Sequence, residues 1–258
     1  LFSLKANNIL HFFSNIHSTS QIGGGVYEII MNRLCNNPSS PKITKICVRD
    51  IHKPRDFTID NSHTELVTDV NSILNDTTID LVIEVAGGTS STIKGVVFDA
   101  LRGGKSVVTA NKALIAEYLE EIVALVDEVN GAKNNSSSSK GVKFGYEASV
   151  CGGIPIIHTL QSSYKGDIIN EISGICNGTT NFMLGKMMDE GAEYDTVLKE
   201  AQDLGYAEAD PTADVEGHDV RAKIAILAKL AFGVSVPIED IPCKGITEIS
   251  VVDRSEER

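Results

Sequence analysis

The sequence has no basic stripe, no paired-cysteine motif and no long apolar run, and each absence closes off a class of function. Its 258 residues carry 35 acidic against 23 basic side chains, a formal net charge of −12, which argues against nucleic acid or an anionic membrane surface as the partner. A small-molecule site fits that balance better. Cys35, Cys47, Cys151, Cys176 and Cys243 are odd in number and scattered, without C-x-x-C spacing. Neither a disulfide framework nor a zinc site is expected, and a reducing compartment is. No apolar stretch is long enough to span a bilayer, so a soluble protein without a membrane partner is expected. The chain also lacks an initial Met and has no acidic residue before Glu28. A fragment, a processed product and the tail of an acid-poor targeting peptide all have that character. A cytoplasmic location is expected, with a plastid as the alternative.

What is present is enough apolar residue, 42% of the chain, to bury a core, and the length suits two domains. The first half alternates short β-branched runs with helical segments. KITKICVRD (42–50), DLVIEVAGG (80–88) and KSVVTANK (105–112) predict strands ending in small or polar residues, and TIKGVVFDALRGG (92–104) predicts a helix closed by glycine. That rhythm belongs to a parallel α/β sheet with ligands at its strand ends, a dinucleotide-type domain. NGAKNNSSSSKG (130–141) reads as a flexible surface loop, and VKFGYEASV (142–150) as the last strand of this domain. GDIINEISGICNG (166–178) reads as the first strand of a new sheet, followed by helices at about 181–190, 193–204 and 218–232.

A Rossmann fingerprint needs G-x-G-x-x-G so that the backbone can approach a pyrophosphate at a helix N-terminus. In STSQIGGGVYEII (18–30) the first two glycines are replaced by Ser18 and Ser20, and only Gly23 stands in register. The preceding FFSNIH (12–17) is too polar for a buried first strand. After the second strand such a fold places an acid for NAD or a basic residue for the phosphate of NADP. Here Arg49 is followed by Asp50, Lys53 and Arg55, which points to NADP, with dual use of NAD as the alternative.

AQDLGYAEADPTADVEGHDVRAK (201–223) gathers Glu208, Asp210, Asp214, Glu216, Asp219 and Lys223 around Gly205, Pro211 and Gly217. Charge runs of this kind usually form a solvated surface. At about 100° per residue, however, Asp219 and Lys223 share an arc with Val220, Ile224, Leu227 and Leu230, while Arg221 and Lys229 point away. A lysine on a buried face needs a partner, and Asp219, one turn earlier, supplies it. A purely structural ion pair is one reading of this pairing. Acid–base chemistry at a substrate oxygen, as hydride transfer between carbonyl and alcohol requires, is the other.

The run Ala201, Gly205, Tyr206, Asp210-Pro211, Asp214, Gly217, Asp219 and Lys223 resembles the homoserine dehydrogenase signature with its spacing intact. VVTANKALIA (107–116), YEASVCGGIPII (146–157) and GICNGTTNFML (174–184) are similar to that family as well. The resemblance runs from about residue 80 to 232, failing at residues 1–20 and fading after about 240, and it disfavours a different oxidoreductase on the same fold. It implies an α/β protein: a Rossmann-type parallel-sheet nucleotide-binding domain over 1–146, then an α+β catalytic and dimerisation domain over 147–258. It also implies an NAD(P)-dependent oxidoreductase interconverting L-aspartate 4-semialdehyde and L-homoserine in threonine, methionine and isoleucine biosynthesis, acting as a homodimer.

Carried over residue by residue, the resemblance makes Lys223 the acid–base residue, assisted by Asp219. Glu208 and Asp219 would bind homoserine, Glu208 at its ammonium group. Lys112 would sit by cofactor and substrate, or be a surface lysine after a strand. Ile22, Gly23, Arg49, Gly87, Lys112 and Gly205 would contact the cofactor, Gly205 at its nicotinamide end, although a helix C-cap explains that glycine equally well. Glu147, Val150, Gly152 and Ile154 would ring a monovalent cation such as sodium, mostly through carbonyls, or simply form a tight Gly-Gly turn. Asn177, Gly178, Thr179 and Thr180 would make a polar junction near the substrate, or a helix N-cap.

Two departures from the family stand out: the serines of the phosphate loop, and an end at Arg258 where the family continues with a stretch that completes the catalytic-domain sheet and covers the cofactor. The expectation is therefore of a chain truncated at its C-terminus. An inactive fragment or pseudoenzyme that dimerises as a regulatory partner is the competing reading.

Overall fold

The β-branched runs of the first half form a parallel sheet. Its strands are β1 (Ile9–Phe12), β2 (Ile43–Cys47), β3 (Glu65–Val67), β4 (Leu81–Glu84), β5 (Ser106–Thr109) and β6 (Phe144–Gly145). They lie in the order β3-β2-β1-β4-β5-β6, with every pairing parallel. The structure is a computed structural model and describes residues 9–12, 21–33, 41–55, 57–133 and 141–249. The chain divides into two compact units, Leu1–Ser149 and Val150–Arg258.

In the first unit the order of strands reverses between β1 and β4, the topological switch point at which open α/β sheets bind ligands beyond their carboxyl ends. All four residues of β4 are buried, as expected of a strand covered on both faces. Parallel neighbours need long crossovers, supplied here by α1 (Gln21–Glu28), α2 (Asn71–Leu74), α3 (Ser91–Arg102) and α4 (Lys112–Lys133). Ser90 begins α3 by accepting a hydrogen bond from the Ile93 N–H at 3.4 Å, and Ile93, Val96, Val97, Phe98, Ala100 and Leu101 form its buried face. Tyr27 and Ile30 pack with Ile43, Ile46, Val48, Leu81 and Ile83 into one core cluster.

The first strand is Ile9–Phe12 and so lies mostly ahead of 12–17, the stretch too polar for a buried strand. The remainder of 12–17, with Ser18 and Ser20, lies outside the described residues. The three glycines that follow belong to α1. A Cβ on Gly24 would stand 2.8 Å from Phe57 Cδ1, so it is Gly24 that permits the close approach of α1 to the loop after β2. The loop expected over 130–141 begins later, because α4 runs on to Lys133; residues 134–140 lie outside the described set. Asn130 anchors the far side: its Nδ2 donates to the Val142 carbonyl at 3.1 Å and its Oδ1 accepts from the Val142 N–H at 2.8 Å. Of the strand expected over 142–150, only Phe144–Gly145 pairs with β5, and Glu147–Ser149 turns into a 3-10 segment.

The second unit contains α5 (Ile156–His158), α6 (Gly178–Glu190), α7 (Tyr194–Asp203), α8 (Thr212–Val215) and α9 (His218–Phe232). Met183, Met187, Val197, Ala201, Ala207 and Val215 form its core cluster. The strand expected over 166–178 is not formed. A strand exists only against a neighbour, and no other strand among the described residues of this unit offers one, which leaves Ile168 87% and Ile175 74% exposed.

Candidate active site

Two glycines lead the chain into the site. α7 ends in a Schellman arrangement: Gly205, at φ +78°, donates to the Gln202 carbonyl and Tyr206 donates to Ala201. Gly205 is therefore a helix C-cap, in a backbone conformation that an L side chain would strain. It directs residues 206–211 back across α6, where Tyr206 stacks on Phe182 with ring centroids 4.7 Å apart. Asp210 then accepts from the Thr212 N–H and hydroxyl at the start of α8, and these bonds hold its carboxyl below the usual range. Gly217, at φ +81°, opens α9.

On α9, Asp219 and Lys223 face inward as expected, with side chains only 3% and 14% exposed. The buried arc is centred closer to Ala222 and Ile226 than to Val220 and Ile224. Arg221, expected to point away, is half-buried and its Nε has no hydrogen-bond partner; Lys229 is half-buried too. Lys223 Nζ donates to Asp219 Oδ2 at 2.7 Å and to the Cys176 carbonyl at 2.6 Å. An ammonium has three N–H bonds, so one is left for a further acceptor.

Asn177 joins this pair to the rest of the unit. Its Oδ1 accepts from the Thr180 N–H at 2.8 Å, so it is the N-cap of α6. Its Nδ2 donates to Asp214 Oδ1 at 2.7 Å and to Asp219 Oδ2 at 2.9 Å. Thr179 Oγ1 lies 2.6 Å from the Tyr206 carbonyl and 3.1 Å from Asp214 Oδ2. One amide thus reads as helix cap and as polar junction at once, and Asp214, to which the sequence attached no role, proves to be a hub. Glu208 is exposed on the loop between α7 and α8, and its carboxylate joins none of these hydrogen bonds. Neither Cys47 nor Cys176 is poised as a nucleophile: burial pushes Cys47 up to about 11, and burial followed by the neighbouring Cys151 raises Cys176.

In the first unit Ile22 is exposed and Gly23 buried at the start of α1. Arg49 is exposed beyond β2, whereas the Arg55 guanidinium donates to the carbonyls of Asp50, Ile51 and Lys53 and braces the loop. Gly87, at φ +74°, forms the turn after β4. Lys112 is the first residue of α4, held there by Asn111, whose Oδ1 accepts from the Leu114 N–H at 3.2 Å. For the expected cation ligands, Glu147 begins the 3-10 turn that ends the first unit, and Val150 is buried at the start of the second. There Gly152 has φ +55°, and Ile154 is exposed with its carbonyl accepting from the Ile156 N–H at 2.8 Å. No group of three or more His, Cys, Asp or Glu side chains able to hold a metal is found among the described residues. No helix of those residues is long and apolar enough to cross a membrane.

The family model for the homoserine dehydrogenase NAD-binding domain matches residues 21–133, and that for homoserine dehydrogenase matches residues 155–258, beyond the point near 240 at which the resemblance was expected to fade. The homoserine dehydrogenase of Bacillus subtilis is 46% identical over 238 residues, covering 91% of this chain and 52% of its own. A crystal structure of a homoserine dehydrogenase from Thiobacillus denitrificans superposes with a TM-score of 0.80 at 36% identity, over 97% of this chain and 55% of that one. A hyperthermophilic archaeal homoserine dehydrogenase in complex with NADPH gives a TM-score of 0.70 at 25% identity, over 95% and 75%. This chain spans about half the length of the curated relatives it matches. It carries an NAD(P)-binding domain of Rossmann type and belongs to the homoserine dehydrogenase family.

Proposed function

We propose that the protein interconverts L-homoserine and L-aspartate 4-semialdehyde with a nicotinamide dinucleotide, NADP in preference to NAD. The observation that carries this reading is the Lys223 ammonium, buried against Asp219 and the Cys176 carbonyl with one N–H to spare. When bound, the dinucleotide supplies or accepts the hydride. Lys223 then delivers a proton to the substrate oxygen as the carbonyl is reduced, and removes it in the reverse direction. Asp219, fixed by Asn177 and Lys223, holds the ammonium in place and with Glu208 binds the amino acid. The exposed Glu208 carboxylate is the natural partner of the substrate ammonium. Lys112, at the head of α4, and Gly205, at the turn after α7, complete the substrate and nicotinamide contacts.

For the cofactor, the chain offers a sheet whose strand order reverses between β1 and β4. Ile22, Gly23 and Gly87 are its backbone contacts. Arg49 and Lys53, both exposed beyond β2, are the partners for the additional phosphate of NADP, and the relative solved with NADPH supports that choice. The Glu147 carboxylate and the carbonyls of Val150, Gly152 and Ile154 are hard oxygen donors, suited to a monovalent cation such as sodium. The active form is a homodimer.

The test is homoserine-dependent reduction of NADP and of NAD, with and without sodium. Turnover that needs homoserine and favours NADP is the expected result. Binding of NADPH without turnover of homoserine at any cation concentration would refute the assigned reaction.

A further inference from the structure

A fully buried carboxylate stands at the carboxyl end of β4. Glu84 is 0% exposed, and among the described residues no cation is paired with it. Its charge is met by hydrogen bonds alone. Oε1 accepts from the backbone N–H groups of Ala86 at 2.7 Å and Gly87 at 3.1 Å, and Oε2 accepts from Thr109 Oγ1, at the end of β5, at 2.6 Å. Thr109 Oγ1 accepts in turn from the Asn111 N–H at 2.9 Å, and Asn111 Nδ2 closes the ring by donating to the Gly88 carbonyl at 2.8 Å. The same Asn111 caps α4, whose first residue is Lys112. One carboxylate therefore locks the turn 86–88 to the loop that presents Lys112.

Burying a carboxylate without a cation is costly, and a sheet of this kind is held as well by an apolar residue. What the arrangement adds is at the strand ends, beside the point where strand order reverses. Adjacent backbone N–H groups on a glycine turn are donors of the kind that hold phosphate. In this turn the protein's own anion already occupies two of them, so the turn is shaped to receive an uncharged part of a dinucleotide, with the phosphates held elsewhere.

We propose that Glu84, acting through Thr109 and Asn111, is a positioning residue that fixes the Gly87–Gly88 turn and Lys112 for the uncharged nicotinamide-ribose end of the cofactor. The proposal rests on the reading of the first unit as a dinucleotide site. Its test measures NADPH dissociation constants by cofactor fluorescence, beside urea unfolding, for the wild type, Glu84→Gln, Thr109→Val, Thr109→Ser and Val82→Ala. Val82, fully buried in the same strand, takes no part in the ring and serves as the packing control. Glu84→Gln and Thr109→Val should weaken NADPH by about tenfold or more. Thr109→Ser, which keeps the hydroxyl, should restore it, and Val82→Ala should lose stability at unchanged affinity. If Glu84→Gln does not fold, the two Thr109 variants decide. NADPH bound within about twofold of wild type by Glu84→Gln or Thr109→Val overturns the proposal, leaving Glu84 a structural residue. A wild type that binds neither NADPH nor NADH overturns the dinucleotide reading itself, and the proposal with it.

Discussion

Replacing Asn177 tests the second unit's polar cluster, because that side chain does two separable things. As N-cap of α6 it contributes about 1 kcal/mol. Its Nδ2 also donates at 2.7 and 2.9 Å to two carboxylates, and hydrogen bonds to charged groups are worth about 1.5–3 kcal/mol each. Asp219 keeps Lys223 and Asp214 keeps Thr179, so these losses do not add in full. Asn177→Ala should destabilise the second unit by about 2–4 kcal/mol, independently of pH around neutrality. Asn177→Asp preserves the cap acceptor but sets a third carboxylate where the amide donated. Two unit charges 4 Å apart at an effective dielectric of about 20 already repel by about 4 kcal/mol, so the cluster must take up a proton in the folded state. Its apparent folded pKa is therefore raised above the carboxylate value of about 3.9. The excess cost of Asp over Ala is then full above the raised value, shrinks as pH falls below it and is gone below the ordinary Asp value of about 3.9. Urea titrations from mildly alkaline to mildly acidic pH, with amide exchange at Thr180 and Asn181 as the local probe, provide the measurement. An Ala variant within about 0.5 kcal/mol of wild type, or an Asp variant whose excess cost does not change with pH, would refute the reasoning.

Two further outcomes follow from the first unit. Asp76 accepts from Lys45 Nζ at 2.7 Å and from the Thr78 N–H and hydroxyl, bonds that hold its carboxyl well below the usual range. Asp76→Asn should cost about 1–2 kcal/mol at neutral pH. Because the folded pKa is depressed, that difference is complete above the ordinary Asp range and vanishes as pH falls through the depressed value; in acid-unfolding curves a gap that widens on acidification would contradict this. Neutralising Arg49 should weaken NADPH by about tenfold while leaving NADH nearly unchanged, and equal effects in titrations of the two cofactors would remove the basis for preferring NADP.

The strands at 43–47, 81–84 and 106–109 were legible because each is a β-branched run of strand length bounded by turn residues. The first strand lies mostly ahead of 12–17, a segment whose polar residues already marked it as a poor strand, and 166–178 misled because a short isoleucine-bearing run forms a strand only where a neighbour exists to pair with it. In the site, the i, i+4 spacing of Asp219 and Lys223 announced an inward-facing pair. The orientation of α9 about its axis is set instead by Ala222 and Ile226, small and apolar residues whose packing a periodicity argument weights too little. Glu84 could not be read at all. A single carboxylate in an otherwise apolar strand looks like a solvated end, and only the turn that folds back onto it reveals two backbone donors. Asn177 was seen as either cap or junction because its two ends serve different elements, one three residues away and the other 37 and 42 away.

In the proposed reaction Lys223 moves the proton at the substrate oxygen while the cofactor is held by other residues. The most direct measurement is the turnover of Lys223→Ala in homoserine oxidation, taken together with its dissociation constant for NADPH. Loss of a general acid–base group should lower turnover by about 10²–10⁴-fold, with NADPH affinity within about twofold of wild type. Near-normal turnover in this variant, with the cofactor bound as before, would contradict the account and reduce Asp219–Lys223 to a structural ion pair.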